Sequence, residues 1–131
     1  MSDKELMALA IKARERAYAP YSNFAVGAAL LTESGKVYLG CNIENSAFSP
    51  TNCAERTAVF SAIADGERNF SAIAVCGGKM NGERKLCTPC GVCRQVLCEF
   101  CSADLKVILE KDNGELMLLT LGDLLPFSFN L

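Results

Sequence analysis

The sequence predicts a three-layer α-β-α domain built on a five-stranded mixed sheet. Three observations predict it. Apolar residues recur with helical spacing at the start, and a short hairpin pattern follows. Strand-length apolar runs then alternate with two helix-length segments. The resulting order is α-ββ-α-β-α-β-β. A strand reached through a crossover helix runs parallel to its predecessor, whereas hairpin strands are antiparallel, so the sheet is mixed. The order of strands across the sheet is not readable from this pattern.

Residues 3–17 read as an amphipathic helix. Leu6, Ala10, Ala13 and Ala17 share one stripe, and Lys4, Lys12, Arg14 and Arg16 lie elsewhere on its surface. Ser2 and Glu5 have capping-box spacing. Tyr18-Ala19-Pro20-Tyr21 ends the helix. Residues 25–31 and 37–41 are strands joined by a turn at Glu33-Ser34-Gly35-Lys36. Residues 42–52 form a polar loop containing Pro50. Residues 53–65 form an Ala-rich helix stopped by Gly66. Residues 71–76 are a strand, and 77–86 a loop. Residues 90–100 form a second interior helix. The last strands are 106–110 and 115–120, joined at Asp112-Asn113-Gly114.

The 131 residues suit one domain spanning 1–131, with one core. Half of the residues are apolar, and adding ten Gly exceeds the about 45–50% usual for soluble domains. No apolar run approaches the roughly 20 residues that span a bilayer. The apolar surplus points to a subunit interface, with a large core as the alternative. Thirteen basic residues against fifteen acidic ones leave a formal charge of −2, without a basic run. That balance argues against a nucleic-acid polymer as partner and suits a small, weakly charged substrate. The N-terminus lacks a basic region followed by an apolar core, so the expected location is the cytoplasm.

Eight Cys occur, at 41, 53, 76, 87, 90, 93, 98 and 101, and there is no His. In a reducing compartment clustered Cys more often bind metal or do chemistry than form disulfides. Without His, Ser-His and Cys-His catalysis are excluded. Any metal site must use Cys and carboxylates.

Thr88-Pro89-Cys90-Gly91-Val92-Cys93 is the strongest local signal. Thr88 has the chemistry of an N-cap and Pro89 that of a first helical residue. Cys90 and Cys93 then share a face on the first turn, where two sulfurs reach one zinc at about 2.3 Å. The positive end of the helix favours thiolates. Cys87 extends the run and makes it resemble part of an iron–sulfur motif. Cys41, Cys76, Cys98, Cys101 and also Cys87 read as small core residues, since free Cys is commonly buried.

Asn52-Cys53-Ala54-Glu55-Arg56 opens the other interior helix. Asn52 and Glu55 alone have the spacing of a capping-box variant. Beside Cys90 and Cys93, a different arrangement emerges. Three thiolates leave a fourth zinc position open for water, as catalytic sites do. Glu55 then stands two residues from a ligand without being one. The arrangement resembles that of zinc deaminases, which implies zinc-bound hydroxide attacking C4 of a cytosine ring, with Glu55 as proton shuttle to N3 and to the departing ammonia. Arg56 is placed to donate to the sulfurs and offset their charge.

Thr51-x-Cys53-Ala54-Glu55-Arg56-x-Ala58 and Pro89-Cys90-Gly91-x-Cys93-Arg94-Gln95-Val96, with Glu99-Phe100, resemble the small homotetrameric, zinc-dependent cytidine deaminases. Tyr18-Ala19-Pro20-Tyr21-Ser22-x-Phe24-x-Val26-Gly27-Ala28 and Leu124-Leu125-Pro126 extend the resemblance over nearly the whole chain. The resemblance implies hydrolysis of cytidine and deoxycytidine to uridine and deoxyuridine plus ammonia, in pyrimidine salvage. It implies one Zn²⁺ per subunit on Cys53, Cys90 and Cys93, with Glu55 catalytic. It implies that Asn42 and Glu44 bind the ribose, Phe24 packs on the pyrimidine, and the Ala54 N–H meets the base carbonyl. Phe129 matches an aromatic that enters a neighbouring subunit's site, with Phe127 as the other candidate. The rivals are a blasticidin-type aminonucleoside deaminase and a non-catalytic zinc-binding interaction module that recruits Cys87 as a fourth ligand.

Overall fold

In the computed structural model, which describes residues 1–131, the chain forms α1 (Asp3–Arg14), β1 (Phe24–Thr32), β2 (Val37–Cys41) and α2 (Ala54–Ala64). It continues through β3 (Phe70–Lys79), β4 (Arg84–Lys85), α3 (Gly91–Phe100), β5 (Lys106–Glu110), β6 (Leu116–Thr120) and α4 (Leu121–Leu124). The sheet runs β2-β1-β3-β5-β6, and β4 pairs with β3 off this path. Only β3 and β5 pair in parallel. The mixed sheet and three layers match the sequence expectation. The sixth strand, β4, lies inside the stretch expected to be loop, and β3 runs three residues further than expected, to Lys79.

Strand alternation divides the core into two layers. Ala28, Leu30, Ile73, Val75, Val107 and Leu109 face α2 and α3. Their neighbours Ala29, Ala72, Ala74, Cys76 and Ile108 face α1, which buries Leu6, Met7 and Ala10 against them. Burial of the central strands on both faces explains why they read as continuous apolar runs rather than alternating ones.

The first helix ends at Arg14 rather than at residue 17. Residues 15–17 tighten into bonds of 3.1–3.2 Å to carbonyls three residues back. Tyr18 then pairs with the chain at Asn42 and Glu44. Arg14 is not a solvent-facing residue. Its guanidinium donates to the carbonyls of Ala25, Gly78 and Lys79 at 2.8–2.9 Å, tying α1 to β1 and β3.

The helices bearing the candidate ligands also begin later than expected. Cys53, not Asn52, is the N-cap of α2, with no side-chain cap bond. The Asn52 carboxamide donates to Thr57 Oγ1 instead. Cys90, not Thr88, is the N-cap of α3, and its sulfur accepts from the Cys93 N–H. Cys is a weak hydrogen-bonding group, so its sequence carries no cap signal. Gly66 follows α2 in the left-handed conformation, as expected of a helix-stopping Gly. The unanticipated α4 is capped by Thr120 and Asp123 in a capping box.

Two glycines let helices approach the sheet. A Cβ at Gly27 would lie 2.0 Å from Ala10 O on α1, and one at Gly40 would lie 2.2 Å from Ala54 O on α2. Gly27→Ala and Gly40→Ala should each lower unfolding free energy by about 1–3 kcal/mol, read from denaturant midpoints. Only Gly40→Ala, which displaces the first turn of α2, should also weaken retention, against a chelator, of the zinc expected on Cys53, Cys90 and Cys93. Equal zinc retention in both variants would contradict this placement.

Candidate metal centre and active site

The path of the chain makes the site. β2 and β3 run in the same direction, because each is antiparallel to β1. Their C-terminal ends therefore lie at one edge of the sheet, and both deliver the chain toward a helix. The N-termini of α2 and α3 meet there. Ligand sites of open α/β sheets favour this edge.

Cys53 and Cys90 occupy the two N-caps, and Cys93 lies one turn into α3. The sulfurs of Cys90 and Cys93 are 3.4 Å apart, and those of Cys53 and Cys90 are 3.7 Å apart. All three lie within 4.8 Å of one another. Sulfurs around a tetrahedral zinc at about 2.3 Å stand about 3.8 Å apart, so the trio fits that ion. Cys87 is not part of the group. Cys93 is buried and Cys90 is exposed, which opens the cluster on one side.

The site's electrostatics favour charge on one sulfur, that of Cys53. Cys53 is lowered to about 5, chiefly by its hydrogen bond with Cys93, and further by Arg56 and Cys90 against the opposing effect of burial. The same shared proton pushes Cys93 up. Arg56 donates from Nη2 to Cys53 Sγ at 3.2 Å. Burial works against its charge, but the bonds to Cys53 and Cys93 outweigh that and raise its pKa. Its Nε is buried without a partner, which suits a guanidinium set beside a cluster of anionic sulfurs.

Glu55 is 3% exposed, at the second position of α2. Burial raises its carboxyl to about 7, and the neighbouring Cys53 thiolate pushes the same way. A carboxyl poised near neutrality suits proton transfer. Ala54 is fully buried at the first position, where a helical N–H has no intrahelical partner.

A cavity of about 270 Å³ opens onto this cluster, lined by Asn42, Glu44, Cys53, Glu55 and Cys90 among the expected residues. Val26, Thr51, Asn52, Cys87 and Thr88 complete it. Asn42 bridges β1, accepting from Val26 N and donating to Phe24 O, each at 2.8 Å. Glu44 accepts from the N–H groups of Tyr21 and Ser22 at 2.9 and 3.2 Å, and from the Ser22 hydroxyl. The Ser22 hydroxyl is the main cause that holds its carboxyl below the usual range. Phe24 stands beside the cavity, half-buried, with its ring over Gly77. Phe127 and Phe129 do not line it; both project to solvent at 105% and 69% exposure. Gln95 and Asn130 tie the tail between them to α3. Ser22 went unassigned in the sequence, and Cys87, expected to be a small core residue, stands half-buried on the cavity wall instead. Ser22 sits inside the Tyr18–Ala28 motif, and Cys87 continues the Cys90-Cys93 run, so both carried a signal.

Comparison with known proteins decides the family. Residues 1–109 match the model described as the cytidine and deoxycytidylate deaminase zinc-binding region. The chain belongs to the cytidine deaminase family. The matched stretch contains Cys53, Glu55, Cys90 and Cys93, and the three sulfurs give the family's zinc a fitting donor set. A cytidine deaminase from Sporosarcina psychrophila is 51% identical over 130 residues, covering 99% of this chain and 93% of the relative. One from Halalkalibacterium halodurans is 48% identical over 129 residues, covering 98% and 95%. The crystal structure of cytidine deaminase from Burkholderia pseudomallei superposes with a TM-score of 0.90 at 50% identity, covering 98% of this chain and all of that one.

Arg56→Ala should keep the fold and weaken zinc retention about 10–100-fold in chelator competition. In metal-free protein the ultraviolet thiolate signal should emerge with a midpoint at about pH 5. In Arg56→Ala it should emerge at higher pH, since the cation stabilises the ionised form. An unchanged midpoint would remove Arg56 from this role.

Proposed function

We propose that the chain, acting as a single domain over residues 1–131, hydrolytically deaminates cytidine and deoxycytidine to uridine and deoxyuridine plus ammonia. The observation that carries this is the buried Glu55 beside the Cys53–Cys90–Cys93 cluster in one nucleoside-sized cavity. Near-50% identity to cytidine deaminases over almost the whole chain favours this reading over an aminonucleoside antibiotic as substrate.

In the proposed pose, C4 of the base points at the sulfur cluster. The Ala54 N–H donates to the base carbonyl, and Phe24 packs on the ring. Asn42 and Glu44 receive the ribose; the carboxylate, held ionised by Ser22, accepts from a sugar hydroxyl. One zinc per subunit, held by Cys53, Cys90 and Cys93, supplies the Lewis acidity that makes water a nucleophile near neutral pH. Glu55 takes a proton from the attacking water and delivers it to N3. As the C4–N bond breaks, it passes the second proton of that water to the amino nitrogen, which leaves as ammonia while the oxygen stays on C4 as the uracil carbonyl. Arg56 offsets the net negative charge of three thiolates on one dication, which would otherwise blunt the metal's acidity.

The oligomer is a homotetramer in this reading. An exposed apolar face on α2 and α3, carrying Phe60 and Val92 beside Phe100, supports it. So does the tail, where Phe127 and Phe129 stand exposed; in this reading Phe129 reaches into a neighbouring subunit's site. No helix is long and apolar enough to cross a membrane, and we place the enzyme in the cytoplasm.

Wild type should convert cytidine to uridine, followed by ultraviolet absorbance. Glu55→Ala should retain zinc yet lose on the order of 10²–10⁴-fold in kcat. No conversion by zinc-loaded wild type would reject the assignment, and turnover of a blasticidin-type aminonucleoside in its place would redirect it. Sedimentation at micromolar concentration should give a tetramer. Phe129→Ala should lower kcat/KM while leaving zinc content intact; a fully active monomer would reject the shared site.

A further inference from the structure

One wall of the cavity has no part in the reaction above. Cys87 stands on it with Val26 and Thr88. Beneath lies Gly77 of β3, which pairs with Val26 on one side and with Lys85 of β4 on the other. A Cβ at Gly77 would lie 2.9 Å from Cys87 Sγ, 3.0 Å from Cys87 Cβ and 3.0 Å from Phe24 Cε1. Cys87 and the Phe24 ring therefore converge over Gly77 and fill the space that any larger residue would take. The wall is also pinned from behind. Arg84 donates to Glu110 at 2.7 Å, and the Leu86 N–H donates to Asp112 at 2.8 Å. These bonds hold the backbone that leads into Cys87, and Gly77 beneath leaves the sulfur its place.

The pose sets which edge of the base meets this wall. The carbonyl and N3 face Ala54 and Glu55, both in the first turn of α2. C5 lies on the other side of C4 from N3, away from that turn. Val26, Cys87 and Thr88 come from the sheet and from the segment leading into α3, so they form the side left for C5.

We propose that Cys87, seated over Gly77, is a specificity-determining residue that limits the substituent accepted at C5 of the pyrimidine. This rests on the deaminase reading. One methyl group in a close-fitting apolar pocket changes selectivity about 10–200-fold. Removing the sulfur opens roughly that much room, and replacing it with the two methyls of Val closes the pocket further.

The test is the ratio of kcat/KM for 5-methylcytidine to that for cytidine, measured in zinc-loaded wild type, Cys87→Ala and Cys87→Val. The ratio cancels the fraction of active enzyme, so a partial loss of stability does not move it. Cys87→Ala should raise the ratio about tenfold or more, and Cys87→Val should lower it by a similar factor. The two shifts have opposite signs, so either variant alone decides if the other fails to fold. Normal cytidine turnover with a ratio within twofold of wild type overturns this inference alone. No turnover of cytidine by wild type overturns the deaminase reading and this inference with it.

Discussion

The meeting of two helix N-termini over three sulfurs is the constraint on which the rest of the structure depends. Three thiolates on one dication leave a net negative charge, and like charges so close repel. The fold supplies the compensation. The positive ends of α2 and α3 both point at the sulfurs, and Arg56 donates directly to one of them. That geometry needs β2 and β3 to run the same way with β1 between them, and it needs α2 to lie close on β2. Gly40 permits the close approach, and any side chain there meets the first turn of α2.

Glu55 shows how the structure changes the meaning of a residue. Its spacing from Asn52 supports a helix-capping role. In the fold Asn52 lies outside the cap, Cys53 takes the N-cap, and Glu55 moves to the second helical position. The capping argument is then gone, and a buried carboxyl without that purpose remains. Burying an ionised carboxylate beside a thiolate is unfavourable, so the group is held near neutrality instead. A carboxyl in that condition gives and takes protons with little driving force wasted, as proton shuttling requires.

Elements long enough to show a period were legible. The five main strands and three main helices follow from runs of apolar residues and their spacing. β4 and α4 were not, because two and four residues carry no period. Helix starts were displaced for a chemical reason: both true caps are Cys, which only the metal-binding geometry makes into sensible cap residues. Among the cysteines, spacing alone did not separate the ligands, since Cys98 and Cys101 repeat it; the tendency of free Cys to be buried did, and Cys76 and Cys98 are buried in the core as expected. The same tendency misplaced Cys87, whose half-buried position on the cavity wall depends on the pairing of β4 with β3. That pairing is a long-range event, invisible to local pattern. Arg14 was misread for the same reason, since its three carbonyl partners lie on strands β1 and β3.

The far end of the cavity adds a second lesson about order. Asn42 and Glu44 stand on a loop, yet neither is loose. Both ends of the Asn42 carboxamide bond to β1, leaving one N–H and one lone pair for a ligand. Between them Ile43 bridges to Tyr18 on one side and to Asn52 on the other, which ties the loop to the end of the first helix and to the start of the second. Glu44 is oriented by three donors from Tyr21 and Ser22. A carboxylate so held is already ionised and already aimed, so binding need not order it. Glu44 also lines the cavity and keeps acceptor capacity for a hydroxyl-bearing ligand. The two ends of the site thus use opposite environments for the same side-chain chemistry. Burial keeps Glu55 exchangeable, and a ring of donors keeps Glu44 charged. That contrast is what the proposed division of labour, proton transfer at the base and fixed recognition at the sugar, requires.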